Sequence, residues 1–341
     1  MLKIAHVNFA KGFRGGERQT LLLVEDLSKK GYHQALITRK NSKLAKRASD
    51  IKNLTIIEIP KPYFLSLSRV KQYDIIHAHE TKAAQFAYFA NIFYKVPYII
   101  TRRVDNRIKN NFFNKLIYSN AKYIVALSSA IKKELIKIDK NLDINIIPDA
   151  YSNLKIDNEK VKKIKDRFEG KFLIGHIGEL DNAHKGQYYL IEAMKLLNKS
   201  NLDIHLILLG KGKDEKIFKS QAKELKNITF EGFVDNVGDY IKCFDLFVFP
   251  SLHEGLGSIL LDLMQFKVPI IASSVGGISD IIKDEINGLL IPPKDSKEIY
   301  KAIKRVYLDK NLRTKLSNEA YKDIENFSID NMSKRYIELY R

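Results

Sequence analysis

The regular alternation of short apolar runs with amphipathic stretches constrains this chain more than any other feature. In the first half, runs such as "KIAHVNF", "HQALIT" and "YDIIHAH" alternate with longer stretches such as "ERQTLLLVEDLSKKG". Short apolar runs are typical of buried strands, whereas the longer pattern, apolar every three or four residues, is typical of helices. Alternation of strands and helices along the chain is typical of a parallel sheet with helices on its faces, so we predict a doubly wound α/β fold.

A second set of such runs predicts a second domain. It includes "KFLIGHIG", "DIHLILLG", "FDLFVFP" and "VPIIAS", and the polar stretch 149–160 is predicted to link the two sets. A chain of 341 residues is long enough for two apolar cores. We therefore predict domains at 1–150 and 151–326. The chain closes on three helical patterns with no later strand, so the last, 327–341, must pack on a sheet already built.

Composition excludes several classes of protein. Apolar residues make up 45% of the chain and are evenly spread, and no uncharged apolar run reaches the roughly eighteen residues that cross a bilayer. The first residues, "MLKIAHVNFAKGFRGG", lack the apolar core and cleavage site of a secretory signal. The lone Cys243 is expected to be a buried thiol in a reducing compartment. We therefore expect a globular, cytoplasmic protein.

The net charge of +18 is unevenly distributed. Residues 1–150 hold 27 Lys and Arg against 12 Asp and Glu, whereas residues 151–341 hold 31 against 28. Such an excess fits nucleic acid, an anionic membrane surface, an anionic substrate, or a lysine-rich proteome. No helix-turn-helix, zinc finger or other nucleic-acid signature accompanies it, so nucleic-acid binding is kept only as an alternative.

A glycine-rich turn follows the run "FDLFVFP" and opens the apolar helix of "HEGLGSILLDLMQF". The amides of Gly257 and Ser258, at the start of that helix, would suit a phosphate or diphosphate. Glu254 precedes the turn, and Asp262 lies one helical turn further in, where it could accept hydrogen bonds from a ribose diol. The alternative is that both acids are solvated and the glycines only turn the chain.

Three other turns follow strands in the same way, and parallel strands end at a common edge where ligands bind. "SSVGG" ends at Gly277, and "GHIGELDNAHKGQ" supplies Lys185, a point charge that could neutralise a diphosphate, beside His184. "KGFRGGERQT" opens the first helix with Gly15 and Gly16, which allow close backbone approach. A solvated lysine and a surface histidine are the alternatives for the second of these turns.

Two strand ends of the first half carry charged or titratable residues. "HAHETKAA" supplies His79, and "ITRRVDN" supplies Arg102 and Arg103, whose guanidinium groups could hold an anionic substrate group bidentately. No G-x-G-x-x-G, no P-loop and no metal-ligand spacing occurs. Dehydrogenase and P-loop functions are therefore disfavoured, and no metal is expected.

Taken together, these segments resemble glycosyltransferase family 4, retaining enzymes that use nucleotide-sugars and have the GT-B fold of two Rossmann-like domains facing a cleft. The resemblance covers nearly the whole chain and is carried by "GGER", "GELDNAHKGQYYLIEA", "ILLGKGKDEKIF", "HEGLGSILLDLMQFKVPIIASSVGGISDII" and "NGLLIPPKD". It implies an acceptor-binding first domain, a donor-binding second domain, a last helix that crosses back to the first domain, and closure by hinge motion at 149–160.

The family's E-x7-E signature implies that Glu254 orients the donor sugar and that Asp262, where glutamate is usual, contacts the ribose. Lys185 matches the lysine that grips the diphosphate. Glu179 stands where arginine is frequent, so the second cation is open, with His184 as one candidate. Arg103 falls near a position where some relatives carry a histidine close to the reacting sugar.

The resemblance implies transfer of a sugar, with retention, to a glycan or lipid-linked acceptor in cell-surface polysaccharide, lipopolysaccharide core or glycan assembly. It implies no cofactor or metal, and peripheral contact with an anionic membrane is also expected. A different reaction on the same fold, such as epimerisation, stays open. The implied site has catalytic Glu254, Lys185 and Arg103; donor-binding Gly16, Gly178, His184, Lys185, Gly210, Glu254, Gly257, Ser258, Asp262 and Gly277; and acceptor-binding Gly15, His79, Arg102 and Arg103.

Overall fold

The structure, a computed structural model, describes residues 2–109 and 111–341. The chain divides into two compact units. The first unit comprises the residues up to Ala150 together with Phe327–Arg341, and the second unit comprises Tyr151–Asn326. Each unit is built around one parallel sheet, so the doubly wound fold predicted from the sequence is confirmed.

The first unit contains a seven-stranded sheet of order β3-β2-β1-β4-β5-β6-β7. All of its strand pairs are parallel. The strands are β1 Lys3–Asn8, β2 His33–Arg39, β3 Leu54–Ile59, β4 Ile75–Ala78, β5 Tyr98–Arg102, β6 Tyr123–Ala126 and β7 Ile144–Ile146.

Helices connect these strands and cover the sheet. They are α1 Gly15–Lys29, α2 Lys43–Ala48, α3 Thr81–Tyr94, α4 Phe112–Ser119 and α5 Ser129–Ile136, with a 3-10 helix at Tyr63–Val70. Side-chain oxygens accept from backbone amides at the starts of α2, α3, α4 and α5, which satisfies donors that have no partner within the helix. The sequence pattern predicted the strands and the longer helices, but it did not predict α2, α4 or the 3-10 helix.

The second unit contains a six-stranded parallel sheet of order β10-β9-β8-β11-β12-β13. Its strands are β8 Phe172–Ile177, β9 Ile204–Leu209, β10 Ile228–Gly232, β11 Leu246–Phe249, β12 Ile270–Ser273 and β13 Leu289–Ile291. Strand order reverses between β9-β8 and β11, and this reversal is where ligands bind in open parallel sheets.

The helices of the second unit are more numerous. They are α6 Asn158–Arg167, α7 Asn182–Lys185, α8 Gln187–Asn198, α9 Glu215–Gln221, α10 Val237–Ile241, α11 Ile259–Gln265, α12 Ile278–Ile281, α13 Ser296–Leu308 and α14 Lys310–Lys322, with a 3-10 helix at Ile324–Phe327. The largest core of the unit packs strand residues such as Leu206 and Val248 against Leu190 of α8 and Ile303 of α13. Cys243 is buried, as predicted, and burial raises the pKa of its thiol to about 11.

The last helix, α15 Ile329–Tyr340, belongs to the first unit. It packs against α1, and Met332, Tyr336 and Tyr340 join the core formed by Ile4 and Leu23. In the part of the chain that the structure describes, no helix is both long enough and apolar enough to span a bilayer.

Candidate functional site

Lys185 and Glu254 form an ion pair at the carboxyl end of the second unit's sheet. The Lys185 Nζ lies 2.5 Å from Glu254 Oε2, and the two side chains are 23% and 17% exposed. Lys185 ends α7 after β8, whereas Glu254 follows β11, which pairs with β8. The ammonium also lies 5.2 Å from the centre of the Phe249 ring. Two charged groups from loops 69 residues apart are therefore held together where the strand order reverses.

Gly186 explains why Lys185 reaches this position. It has a φ of +66°, and a Cβ at this residue would lie 2.0 Å from the Pro250 carbonyl oxygen. Only glycine allows the backbone to pass that close to the end of β11 in this conformation. The amide of Leu252 then donates to the His184 carbonyl at 2.7 Å, so the two loops are fixed against each other.

Gly178 and Gly210, both predicted to bind the donor, lie side by side under the lysine. A Cβ on Gly210, where φ is +135°, would lie 1.9 Å from the Gly178 carbonyl oxygen. A Cβ on Gly178 would meet the Lys185 side chain at 3.7 Å. These glycines leave room for the stem of Lys185 and for the approach of the β9 loop, so their role in this structure is to shape the loops.

The turn after Glu254 brings two predicted glycines into contact with that residue. Gly257 has a φ of +86°, and a Cβ there would lie 3.5 Å from Glu254 Cγ. The Gly277 amide donates to the Glu254 carbonyl at 3.1 Å. We predicted that amides around Gly277 face a diphosphate; its own amide is instead used to tie the two glycine turns together. Ser258 occupies the N-cap position of α11, which begins one residue later, but its side chain makes no capping hydrogen bond.

Asp262 lies on α11 and is buried. Its Oδ1 accepts the Ser152 amide at 2.6 Å, which fixes the start of the second unit to this helix. The sequence predicted a ribose contact for this carboxylate and gave no sign of the amide contact. A carboxylate has two oxygens with several acceptor positions, so it can accept hydrogen bonds from more than one donor.

His184 and Glu179, which bear on the second cation, are both exposed. His184 Nδ1 lies 3.1 Å from Asp181 Oδ2, so its imidazole is oriented by that carboxylate. Lys213, on the loop after β9, lies 3.3 Å from another oxygen of the same Asp181. The Glu179 carbonyl accepts from the Gln187 side chain at 2.8 Å. The side chains of His184 and Lys213 therefore both contact Asp181, whereas Lys185 contacts it only through its backbone amide.

His176 is a residue of this region that the sequence analysis missed. It is fully buried beneath Gly178, with Nδ1 2.9 Å from the Val248 carbonyl oxygen. Its pKa is lowered to about 4, mainly by burial and to a smaller extent by the charge of Lys185, while the bond to the Val248 carbonyl opposes the shift. The imidazole is therefore neutral at pH 7 and adds no charge beside the lysine. An apolar strand with a single histidine gave no signal of this role.

In the first unit, Gly16 and Arg103 meet at the carboxyl ends of β1 and β5. A Cβ on Gly16 would lie 3.2 Å from Arg103 Cδ, so glycine allows the arginine to cross the start of α1. Arg103 forms an ion pair with Asp149, and both side chains are nearly buried. Its buried Nε has no hydrogen-bond partner among the described residues. For Gly15, a Cβ would meet nothing within 4 Å.

Arg102 is turned into its own loop. Its Nη2 donates to the Asn106 carbonyl at 2.6 Å and to the Asn106 Oδ1 at 2.7 Å, and Nη1 lies 3.4 Å from the Tyr118 hydroxyl. The side chain is buried. Of the arginine pair, Arg102 therefore orders the loop after β5, and Arg103 is the one that lies beside Gly16.

His79 lies in a buried cluster of three histidines. Strand register places His6 of β1 directly opposite His77 of β4, and His79 follows two residues later. His6 Nδ1 lies 3.0 Å from His79 Nε2, while His77 is bonded to the Tyr340 hydroxyl and the Thr101 hydroxyl, each at 2.7 Å. The remaining nitrogens, His6 Nε2 and His79 Nδ1, have no partner in the described part of the chain.

Burial keeps these three histidines neutral. It lowers the pKa of His6 to about 3, and it lowers the pKa of His77 and of His79 well below the usual value, with neighbouring histidines and Arg103 adding to the effect. Ligand nitrogens from all three lie within 4.8 Å of one another, so the group could hold a metal ion. Spacing rules had indicated no such group, because His6 lies in β1, whereas His77 lies 71 residues later in β4 and His79 directly follows that strand.

The second unit's site can bind an anion and orient a polar group beside it. Lys185 supplies a positive charge, the glycine turns allow close approach of a ligand to the backbone, and Glu254 supplies acceptor oxygens. Of the predicted donor residues, Gly178, Lys185, Gly210, Glu254 and Gly257 come together. Gly16 lies in the first unit, and His184 points to solvent.

Comparison with known proteins identifies two family matches. Residues 157–323 match the family described as "Glycosyl transferases group 1", and residues 13–150 match "Glycosyltransferase Family 4". The lipopolysaccharide core biosynthesis glycosyltransferase LpsE of Rhizobium meliloti (strain 1021) is 24% identical over 358 residues, covering 99% of this chain and 98% of that protein.

Two further proteins are similar over the full length. The Escherichia coli UDP-Gal:alpha-D-GlcNAc-diphosphoundecaprenol alpha-1,3-galactosyltransferase is 24% identical over 375 residues, covering 99% of this chain and 96% of its own. The crystal structure of Anabaena HepE in complex with UDP and glucose superposes with a TM-score of 0.87 at 17% identity, covering 99% of each chain. That degree of likeness shows a shared GT-B fold.

Proposed function

We propose a donor and an acceptor class for this chain, which belongs to the glycosyltransferases of the group 1 and family 4 type. The chain is a glycosyltransferase with the GT-B fold, and its donor is proposed to be a nucleoside diphosphate sugar. HepE has been crystallised with UDP and with UDP-glucose, which supports a diphosphate nucleotide as the leaving group. The Lys185–Glu254 pair carries the proposal, because it offers a cation for the diphosphate and a carboxylate for the sugar at 2.5 Å from each other.

Lys185 is proposed to act mainly in the transition state. As the glycosidic bond breaks, negative charge builds up on the departing diphosphate, and a fixed ammonium beside it stabilises that charge more than it stabilises the bound substrate. Glu254 is proposed to accept hydrogen bonds from sugar hydroxyl groups and so to orient the reacting carbon. The transfer is proposed to retain configuration, with the acceptor hydroxyl attacking from the side of the leaving diphosphate, which takes the proton.

Binding of the donor would change the present pairing of Lys185. Its ammonium has three hydrogens and now points at Glu254, so a diphosphate can share the cation without moving the lysine backbone. His176 is neutral at pH 7, so it adds no second positive charge beneath Lys185. Asp262 is proposed to accept hydrogen bonds from the ribose in addition to the one from the Ser152 amide.

The acceptor is proposed to be a glycan or a lipid-linked sugar, used in cell-surface polysaccharide or lipopolysaccharide assembly. LpsE and the E. coli enzyme are named for such acceptors or pathways, which supports this class. Arg103 Nε and His79 Nδ1 are buried without partners among the described residues, and both are polar groups that an acceptor hydroxyl could satisfy. Cytoplasmic location and peripheral contact with an anionic membrane complete the proposal.

The proposal is tested by substituting the ion pair. Lys185→Ala and Glu254→Ala should each abolish detectable transfer from whichever nucleotide-sugar the wild-type protein uses, measured by release of the nucleoside diphosphate from a donor panel. Lys171→Ala is the matched control, because Lys171 forms an exposed ion pair with Asp203 in the same unit. Wild-type rates in both ion-pair variants would refute the site.

A thermal shift assay separates this function from nucleic-acid binding. UDP should raise the melting temperature of the wild-type protein, and Lys185→Ala should reduce the shift, whereas short DNA or RNA should leave the melting temperature unchanged. A shift with RNA alone would favour nucleic-acid binding. Turnover of a nucleotide-sugar into its epimer without any acceptor would favour an epimerase.

A further inference from the structure

The loop after β9 brings a second lysine to the edge of the sheet that carries Lys185. Lys213 Nζ lies 3.3 Å from Asp181 Oδ1. Asp181 is the residue before α7, the helix of four residues that ends at Lys185. With a rise of about 1.5 Å per residue, Asp181 and Lys185 are roughly 6 Å apart along the helix axis. Lys213 therefore contacts the start of the short helix whose last residue is Lys185.

Backbone contacts hold the β9 loop against the loop that follows β8. The Asp214 amide donates to the Leu180 carbonyl at 3.1 Å. A Cβ on Gly212 would lie 2.2 Å from that same carbonyl oxygen, so glycine is needed where the two loops touch. The Asn182 amide also donates to Asp214 Oδ2 at 2.7 Å. The backbone of Lys213 is therefore fixed relative to α7, although its side chain is exposed.

The two lysines approach the end of β8 from its two sides. The Lys185 ammonium contacts Glu254 in the loop after β11 and lies near the ring of Phe249, the last residue of that strand. Lys213 comes from the loop after β9, and β9 and β11 are the two neighbours of β8 in the sheet. Neighbouring strands are about 4.8 Å apart, so the two loops start from strands roughly 10 Å apart. A diphosphate with a sugar on one phosphate and a nucleoside on the other is long enough to contact both lysines.

Lys185 alone does not balance the charge of a diphosphate. Its ammonium is paired with Glu254 at 2.5 Å, so the pair has no net charge, whereas a nucleoside diphosphate sugar carries a negative charge on each phosphate. In the second pair, the Lys213 side chain is 65% exposed and that of Asp181 is 16% exposed. Because a lysine stem is flexible, the Lys213 ammonium can turn from Asp181 to a ligand on the solvent side while the carboxylate stays in place.

We propose that Lys213 binds the diphosphate of the donor together with Lys185. Lys213 contacts the phosphate that carries the nucleoside, and Lys185 contacts the phosphate that carries the sugar. This inference rests on the proposed function, and it supplies the second cation that the sequence left open. The signal for it is a contact between two loops, which no local motif contains.

The two lysines have different roles in the reaction. The charge that develops as the glycosidic bond breaks appears on the phosphate bonded to the sugar, which Lys185 contacts. The other phosphate carries the same charge throughout, so Lys213 stabilises the bound donor and the transition state about equally. Lys213→Ala should therefore raise the KM for the donor about tenfold and leave kcat within about threefold of wild type. A lower kcat with an unchanged KM would contradict this role.

The experiment measures binding of UDP and UMP to the full-length protein by calorimetric titration at pH 7.5 and low salt. UMP keeps the phosphate that carries the nucleoside and lacks the other one. Lys213→Ala should therefore lower the affinity for both nucleotides about tenfold. Lys185→Ala should lower the affinity for UDP about tenfold and that for UMP by less than about threefold. Lys213→Arg keeps the charge and should bind both nucleotides within about threefold of wild type.

Lys211→Ala is the matched control. Lys211 is exposed and lies two residues before Lys213 on the same loop. Its side chain passes Gly232 at the end of β10, since a Cβ on that glycine would lie 3.2 Å from Lys211 Cε. Removing this charge should change the affinity for UDP by less than about twofold. The melting temperature of each variant is measured without nucleotide, and it should stay close to that of wild type because both lysines are exposed.

Three outcomes would overturn the inference. They are unchanged affinity of Lys213→Ala for UDP and UMP, an equal loss in Lys211→Ala, and a larger loss in His184→Gln than in Lys213→Ala, which would give the second contact to His184. If Lys185→Ala weakens UDP binding while Lys213→Ala does not, this inference fails and the proposed function stands. If the wild-type protein binds no UDP, the proposed UDP donor fails together with the contact.

Discussion

The two sheets share one architecture, yet the polar groups at their carboxyl ends are arranged in opposite ways. In the second unit, Lys185 and Glu254 come from loops, are partly exposed and pair with each other across two glycine turns. In the first unit, His6 and His77 lie in strands and His79 directly follows β4; all three are almost fully buried and bond mainly to one another, to the sheet and to α15. The same fold thus supports a partly exposed ion pair in one unit and an almost fully buried polar cluster in the other.

This difference teaches where a doubly wound domain keeps its adaptable chemistry. Loop residues can exchange a protein partner for a ligand at little cost, because the loops are already held by glycine contacts. The position of a strand residue is fixed by the pairing of its strand with the neighbouring strands. A buried polar group on it therefore either bonds to another buried group or has no hydrogen-bond partner. The units should therefore respond differently to pH, to loop substitutions and to changes of ligand.

The largest expected effect is loss of stability of the first unit in acid. Folded His6 has a pKa of about 3, and those of His77 and His79 are also depressed, whereas histidines in an unfolded chain titrate near pH 6.5. The unfolded chain therefore binds more protons below about pH 6.5, and the free energy of unfolding should fall with decreasing pH by up to about 4 kcal/mol per pH unit for three histidines.

The second unit has two such histidines, fully buried His176, with a pKa of about 4, and partly buried His205, whose pKa is also lowered by burial, so its slope below pH 6.5 should be at most about two thirds as steep. Hydrogen exchange at pH 7, 6 and 5 would follow each unit separately. His6→Gln should lower the slope of the first unit, and His253→Gln, at an exposed loop position, should not. Earlier loosening of the second unit in acid would contradict the comparison.

The second largest effect concerns catalysis. Glu254→Gln keeps the size of the side chain but removes the negative charge that faces Lys185, so transfer should fall at least about a hundredfold, or about 2.7 kcal/mol. The rate of nucleoside diphosphate release measures it. Asp203→Asn, which removes the acid of an exposed pair, is the control. A rate within about twofold of wild type would remove Glu254 from the mechanism.

A glycine substitution tests whether close loop contacts hold the site. Gly186→Ala places a Cβ 2.0 Å from the Pro250 carbonyl at a φ of +66°, and we expect destabilisation of about 2–4 kcal/mol, since both strain and a backbone clash must be relieved. Gly170→Ala is matched in conformation, with a φ of +72° and no atom within 4 Å, so it should cost only about 1 kcal/mol. Chemical denaturation measures both, and equal losses would show that the contact does not matter.

A smaller effect is expected at Asp262. Asp262→Asn keeps an oxygen for the Ser152 amide, so the fold should persist, but it removes charge from the proposed ribose contact. Affinity for UDP should fall about fivefold, close to 1 kcal/mol, and the preference for UDP over its 2′-deoxy form should shrink. Calorimetric titration with both nucleotides measures this. An unchanged preference would limit Asp262 to its structural contact.

The smallest effect is expected from metal removal. Because Lys185 is proposed to neutralise the diphosphate, transfer after dialysis against EDTA should stay within about twofold of the untreated rate. Loss of activity that a divalent ion restores would contradict this, and His6→Gln would then test whether the ion sits in the histidine cluster.

Much of the fold could be predicted because parallel strands buried on both faces read as apolar runs, as in "LFVF" of β11 and "IIAS" of β12. Short helices were missed where the pattern is weak. α4 has only eight residues, about two helical turns, and the exposed Phe112 and Phe113 at its start obscure which side is buried. In α2, six residues are too few to show a period.

Sequence analysis could single out Glu254, Gly257 and Lys185 in the second unit, because each lies in a short motif with glycine at a fixed offset. Contacts between residues that are far apart in the sequence could not be predicted from it. The sequence around Lys185 does not indicate that Glu254 is its partner. His6 lies beside His77 only because β1 and β4 pair in one particular register, which the sequence does not reveal. The hydrogen bond from the Ser152 amide to Asp262 and the ion pair of Arg103 with Asp149 also join distant segments, and the sequence did not predict them.

The place of α15 has a consequence for biosynthesis. Tyr336 and Tyr340 fill the core of the first unit and bond to Thr101 and His77, so that unit is discontinuous in sequence while the second unit is an uninterrupted segment. On the ribosome, the second unit can finish folding as soon as it emerges, whereas the earlier-made unit must wait for the final residues of the chain. The half that is translated first is therefore the half that matures last.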